Sequence, residues 1–197
     1  MEYNIKDIIK RYDAGENLEF LFFWGHTSKH DYITKTCLSQ WYPARFEVDV
    51  QINYISAVSV HNVEYTCAEQ YMMAEKARTF NDMDAYQKIM NAETPKDMKA
   101  LGRQVRNFDA SVWNKRAKEI VVQGNIYKFS QNDDLLKFLL STGDKVLVEA
   151  SPYDKIWGIG MSDRDYGVDN PHNWKGTNWL GFALMEVRDE LIKTVRV

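Results

Sequence analysis

From residue 46 to residue 63, Val, Ile and Tyr interleave with charged and amide side chains in a partly alternating pattern. Alternation places apolar groups on one face of a pleated chain, so this stretch predicts one or two strands of a hairpin. The aromatic, apolar run at 20–24 and the Val-Leu-Val-Glu run at 146–149 predict further strands. Elsewhere the pattern is helical. Residues 5–12 predict a short polar helix. Thr66 followed three residues later by Glu69 has the pattern of a capping box, and Ala, Met, Glu and Lys carry a helix on to about residue 80. Thr94, Pro95 and Asp97 open another helix in the same manner, with Gly102 near its end. Asp109 is placed to cap a long helix from 110 to about 127, on which Trp113, Ala117, Ile120, Val121 and Gly124 recur at helical spacing. Asn132 starts a shorter helix that Gly143 ends, and Asn178 opens a last one reaching about residue 193. Helices outnumber strands, which predicts an α+β, helix-rich fold with a small antiparallel β element. Residues 150–175, rich in Trp, Gly, Pro and Asp, read as a long ordered loop, and such loops in compact domains usually carry function.

The chain has 197 residues, with no internal repeat, low-complexity stretch or linker, and this predicts one domain with a substantial core. Apolar residues make up 45% and charged residues 27%, the balance of a soluble globular protein. Apolar runs such as 120–122 and 146–148 fall far short of the ~18 residues that cross a bilayer, and residues 1–13 carry charge without an apolar signal core. The expectation is a cytoplasmic protein with no membrane partner, whose two cysteines, Cys37 and Cys67, are reduced thiols. A net charge of −3 lacks the basic footprint of a protein that grips nucleic acid through its phosphates, so an anionic ligand must be held locally. His26 and His30 are four apart but sit in a Gly/Thr/Ser-containing loop, which gives a zinc site little support.

Three clusters have side chains suited to chemistry. In Ala68-Glu69-Gln70-Tyr71-Met72-Met73-Ala74-Glu75-Lys76-Ala77, Glu69 and Lys76 are seven apart, nearly on one helix face, so a carboxylate and an ammonium can address one pocket. The bland account makes Glu69 half of the capping box with Thr66 and Lys76 a solvated charge. In the stretch from Leu147 to Gly160, a strand delivers Glu149 and then Asp154 into a loop with Trp157 and Gly158. A planar base can stack on Trp157, and Gly158 lets backbone approach a ribose or phosphate. The alternatives are an edge-strand charge, a turn former after Pro152 and a core indole. The third cluster has Trp113 and Lys128 at opposite ends of one helix, with Lys128 meeting a phosphate or complementing the macrodipole. Free amides at the start of the last helix suit a phosphate, and capping by Thr177 or Asn178 accounts for the same residues without a ligand.

Read in order, the segments form a recognisable series: Phe23-Trp24, Leu38-Ser39-Gln40-Trp41-Tyr42-Pro43, the 68–77 helix, Gly102-Arg103, Trp113, Lys128-Phe129-Ser130-Gln131-Asn132, Leu139 to Gly143, Leu147 to Gly160, Gly176-Thr177-Asn178-Trp179-Leu180-Gly181 and Val187-Arg188. The series resembles the NADAR (NAD- and ADP-ribose-associated) family, the YbiA-like N-glycosidases. The resemblance covers most of the chain and implies a single helix-rich domain over 19–197, preceded by an extension at 1–18 without a family counterpart. It implies hydrolysis of a ribose–nitrogen bond, either in ADP-ribosylated guanine or in ribosylaminopyrimidine phosphates of the riboflavin pathway, with no metal and no cofactor. The substrate is then a small nucleotide or a modified guanine, free or within nucleic acid.

Carried over by motif, the resemblance makes Glu69 the principal catalytic carboxylate, with Trp113, Asp154 and Trp157 lining the pocket. Lys76 matches a helix lysine that either holds a phosphate or attacks the opened ribose as a Schiff-base amine. Trp41, Lys128, Glu149, Gly158 and Asn178 complete the expected binding set, and Asp154 joins the catalytic one. This reading requires the acid of the helix and the acid and indole of the loop to converge on one cavity. The chain departs from the family pattern at Gln40-Trp41, where many members have Asn-Phe, at Gln70, where many have His, and in a longer 49–62 segment. A non-catalytic ADP-ribose reader would instead bind without releasing product, and a protein-interaction domain would expose a large aromatic patch. Glu69, Lys76 and Asp154 together favour the enzyme.

Overall fold

The computed structural model describes residues 3–53 and 58–195. Its elements, in order, are α1 (Ile5–Asp13), β1 (Phe20–Phe23), β2 (Phe46–Asn53), β3 (Val58–Tyr65), α2 (Ala68–Thr79), α3 (Met83–Met90), α4 (Pro95–Gly102), α5 (Ala110–Ser130), α6 (Asp133–Ser141), β4 (Val146–Glu149) and α7 (Trp179–Val195). The class is α+β and helix-rich, as the patterning predicts. No helix among the described residues is long and apolar enough to cross a membrane. The chain forms two compact units, residues 1–39 with 134–197, and residues 40–133.

In the first unit, β1 and β4 pair in parallel, from Phe20 opposite Val146 to Phe23 opposite Glu149. Local patterning finds both strands but not their pairing, because strands separated by more than a hundred residues leave no trace of each other in sequence. Val146, Leu147 and Val148 are all buried, the continuous apolar run of a strand covered on both faces. Helix α7 packs against β4, and its Ala183, Leu184 and Val187 are also buried. At the start of the described chain, α1 begins at the N-cap Asn4, whose side chain accepts from the Asp7 amide, and buries Ile8. The Tyr3 hydroxyl donates to Asp189 at 2.8 Å and Asp13 meets His172 at 2.7 Å, so this segment is tied to α7 and to the long loop of its own unit.

In the second unit, β2 and β3 form the predicted hairpin in antiparallel register, with Phe46 opposite Tyr65 and Val48 opposite Val63. Phe46, Val48 and Val50 are buried while Glu47 and Asp49 are exposed, the alternation that the sequence shows. The α4 helix is capped by Thr94, which exchanges bonds with Asp97, and α5 by Asp109, which accepts from the Ser111 and Val112 amides. Two features differ from the sequence reading. An unpredicted helix, α3, starts at Asp82, whose carboxylate accepts from the Ala85 amide. The capping box at Thr66 is shifted by one residue: Gln70 rather than Glu69 reaches back, accepting from the Thr66 amide at 2.8 Å and its hydroxyl at 3.0 Å. The Gln70 amide then donates to the Ile89 and Met90 carbonyls, fastening the start of α2 to the end of α3.

Candidate active site

The Thr66 amide and hydroxyl bond Gln70, so the reach-back that a capping box asks of Glu69 is made by its neighbour. Helix α2 begins at Cys67, which provides no side-chain cap, and the Glu69 amide instead donates to the main-chain carbonyl of Gln40 at 2.9 Å. Glu69 is 5% exposed, an unusual burial for a glutamate. A second buried charge lies close by. Burial pushes the Cys67 thiol up, the Glu69 carboxylate adds to that effect and the Lys128 ammonium opposes it, so both charges act on one sulfur. Lys128 is 0% exposed, with its ammonium 5.0 Å from the Phe129 ring centre and 5.7 Å from that of Tyr42. It is therefore a buried lysine among aromatic faces, in the last turn of α5, where it also complements the macrodipole.

Two turns along α2, Lys76 is half-buried and sits over two rings, 4.3 Å from the centre of Phe108 and 5.6 Å from that of Trp113. Burial and the neighbouring Arg103 charge both lower its pKa. This is the environment that raises the fraction of neutral, nucleophilic amine near neutrality. Phe108 is 46% exposed, an aromatic edge at the surface, and Phe80 packs against it with ring centres 5.3 Å apart. Its segment is pinned two residues earlier, where the Arg106 amide and guanidinium bond Asp82 and hold that carboxyl well below its usual range. The sequence reading missed Phe108, for which an isolated aromatic after a polar stretch offers no periodic signal. Trp41, half-buried, stacks under the Lys99 ammonium at 5.9 Å.

The remaining expected site residues lie in the first unit, in the loop between β4 and α7. Asp154 is half-buried, and its Oδ1 accepts from the Ile156 and Trp157 amides at 2.9 and 2.8 Å, a tight Asx turn that fixes the carboxylate. Trp157, also half-buried, packs edge-to-face on Trp179 with centres 5.5 Å apart, leaving part of its indole accessible. Gly158 is needed by the loop itself: a Cβ there would stand 2.8 Å from the Glu149 carbonyl and 3.0 Å from that of Asp154. The close backbone approach expected at this glycine is thus to the protein's own chain. Glu149 is half-buried at the end of β4, and its carbonyl accepts from the Ile159 amide.

The start of α7 corrects the sequence reading on both counts. Its amides are not free for a phosphate, because those of Asn178, Trp179 and Leu180 donate to the carbonyls of Gly158, Ile156 and Trp157. Neither Thr177 nor Asn178 caps it with a side chain. The Thr177 hydroxyl donates to Ile156, and the Asn178 amide clamps β4, accepting from the Glu149 amide at 2.9 Å and donating to the Leu147 carbonyl at 2.9 Å. Asn178 is 0% exposed and has φ +53°, a conformation Asn tolerates better than most residues. Asn178→Ala is expected to lower stability by about 2–4 kcal/mol, from two buried groups left without partners and a strained backbone. Asn178→Gly should recover only the backbone part, which thermal unfolding of the two variants separates.

The model of the NADAR domain matches residues 22–192. An N-glycosidase of Acanthamoeba polyphaga mimivirus is 44% identical over 176 residues, which cover 89% of this chain and 98% of that protein. Protein irg-1 of Caenorhabditis elegans is 38% identical over 157 residues, covering 78% of this chain and 74% of its own. Among solved structures, the NMR structure of the E. coli protein YbiA is similar with a TM-score of 0.67 at 22% identity, covering 92% of this chain and 90% of that one, a likeness of fold. Joined by its fold and by sequence over most of its length to these relatives, the chain belongs to the NADAR family.

Proposed function

We propose that this chain, an N-glycosidase of the NADAR family, hydrolyses the bond between ribose C1 and a base nitrogen in a phosphorylated nucleotide, either ADP-ribosylated guanine or a ribosylaminopyrimidine phosphate. The observation that carries the reading is Glu69: a buried carboxylate on the same helix as the half-buried Lys76, with the reach-back to Thr66 made by Gln70. Water oxygen adds to C1 and its proton passes to Glu69. The C1–N bond breaks with its electron pair on the departing nitrogen, which takes up the proton that Glu69 received, directly or by exchange through solvent, so the carboxylate is restored as the base leaves. Positive charge grows on the ribose along this path, and a fixed carboxylate stabilises it.

Lys76 has one of two roles. As an amine it adds to C1 of the opened ribose, forms an imine as the base leaves, and is regenerated when water hydrolyses the imine. As an ammonium beside Arg103 it holds a phosphate. In the loop of the first unit, Trp157 is proposed as a stacking surface for a base and Asp154 as the group that orients ribose hydroxyls or water. Trp41, Trp113, Lys128 and Glu149 are proposed as further contacts in substrate binding.

The test offers ADP-ribosylated guanine oligonucleotide and ribosylaminopyrimidine phosphate side by side and identifies released base by mass spectrometry. Release of free base from one of them is expected; binding of both without release contradicts the reading. Borohydride added during turnover divides the two roles of Lys76. The imine route predicts a covalent adduct of sugar mass on wild type and none on Lys76→Met, whereas the phosphate route predicts no adduct and a raised KM in the variant.

A further inference from the structure

Gln40 and Asn125 form a buried amide pair beside the start of α2. Asn125 lies on the apolar stripe of α5, one turn before Lys128, and is 0% exposed. Its Nδ2 donates to the Val121 carbonyl at 2.8 Å and to Gln40 Oε1 at 2.7 Å. Gln40 is also buried, and its Nε2 stands 3.9 Å from Met72 Sδ on α2. Its main-chain carbonyl is the acceptor for the Glu69 amide at 2.9 Å. Since Cys67 supplies no cap, that carbonyl satisfies a first-turn N–H that would otherwise be orphaned. A continuous path of bonds thus runs from the backbone of α5 through Asn125 and Gln40 to the backbone of Glu69. Each link is buried, where a lost amide bond leaves an unpaired polar group and the arrangement has little freedom to adapt.

We propose that Gln40 and Asn125 are positioning residues, which set the place of the Glu69 carboxylate without touching substrate. The proposal rests on the role given to Glu69 above. Polar residues on an apolar helix stripe carry a desolvation cost unless they bond, and here Asn125 bonds the side chain of Gln40, the residue whose carbonyl holds the Glu69 amide. A displacement of about 1 Å at a reacting group costs as much as ~10²-fold in rate, so the pair acts on kcat more than on KM.

Asn125→Leu and Gln40→Met, both close in size to the native residues, test this with the substrate that releases base. Each is expected to lower kcat about tenfold or more with KM changed by less than about threefold. The double variant should be no worse than the poorer single one, because both interrupt the same path. A merely structural pair lowers the melting temperature but leaves kcat per folded molecule within about twofold of wild type, and that result overturns the proposal. Should Asn125→Leu fail to fold, Gln40→Met carries the test. It keeps the carbonyl that accepts from Glu69 and leaves Asn125 bonded to Val121. An active Glu69→Gln would sink the reading of Glu69 itself, whereas an inactive Glu69→Gln beside fully active Gln40→Met sinks only the positioning role.

Discussion

Glu69→Gln is expected to lower kcat by about 10²–10⁴-fold while the protein stays folded, the range that one positioned acid–base group contributes. The amide has the same shape as the carboxylate but neither accepts a proton nor stabilises a cationic ribose. Its effect on KM should be small, since the carboxylate acts mainly as charge develops. A local role predicts the opposite pattern. If Glu69 served the helix start, its replacement would cost stability, yet the reach-back to Thr66 is made by Gln70, and the backbone N–H that Glu69 donates to Gln40 is one that Gln also has. Steady-state kinetics with thermal unfolding on one preparation therefore separates the two accounts. Full turnover with a depressed melting temperature would remove Glu69 from the chemistry.

Gly181→Ala is expected to lower stability by about 2–3 kcal/mol, against the roughly 1 kcal/mol gain that helix propensity alone predicts for this change in a helix. Gly181 lies in the first turn of α7, where a Cβ would collide with the Leu147 carbonyl of β4 and stand 2.6 Å from the side chain of Asn178. The obstacle is backbone, so no rotamer change relieves it. The Asn178 clamp prevents the helix from simply sliding away, because its amide accepts from the Glu149 N–H and donates to the Leu147 carbonyl of β4. For a chain of this size the loss corresponds to a melting temperature lower by about 5–10 °C. An unchanged or higher melting temperature would mean that α7 and β4 can separate slightly without cost.

Where the sequence could be read, the signal was local. Helix caps at Thr94 and Asp109 and the alternation through Phe46, Val48 and Val50 are written within a few residues, and the structure follows them. Helix α3 is absent from the sequence reading, and the Asp82 carboxylate on the Ala85 amide is the cap that starts it. At the start of α2 the tandem Glu69-Gln70 offers two side chains that can reach Thr66, and the choice depends on Ile89 and Met90, which hold Gln70 from nineteen and twenty residues away. The same limit applies to the candidate site. Glu69 and Lys76 were visible through their spacing and the family resemblance. Gln40 stands out in the sequence only as a departure from the family pattern, and its bond to Asn125 spans 85 positions. Asn178 looked like a helix cap because caps use the same residue types, while its partners lie on a strand thirty residues earlier.

The most direct measurement of the central claim is the fate of oxygen when turnover runs in water labelled with oxygen-18. Hydrolysis at the ribose–nitrogen bond places one labelled oxygen on C1 of the sugar product and leaves the released base unlabelled, whether water attacks directly or resolves an imine on Lys76. Wild type should show this pattern, and Glu69→Gln should show almost no labelled sugar over the same time. Label in the base with an intact glycosidic bond, or labelled sugar formed equally fast by Glu69→Gln, would contradict the account.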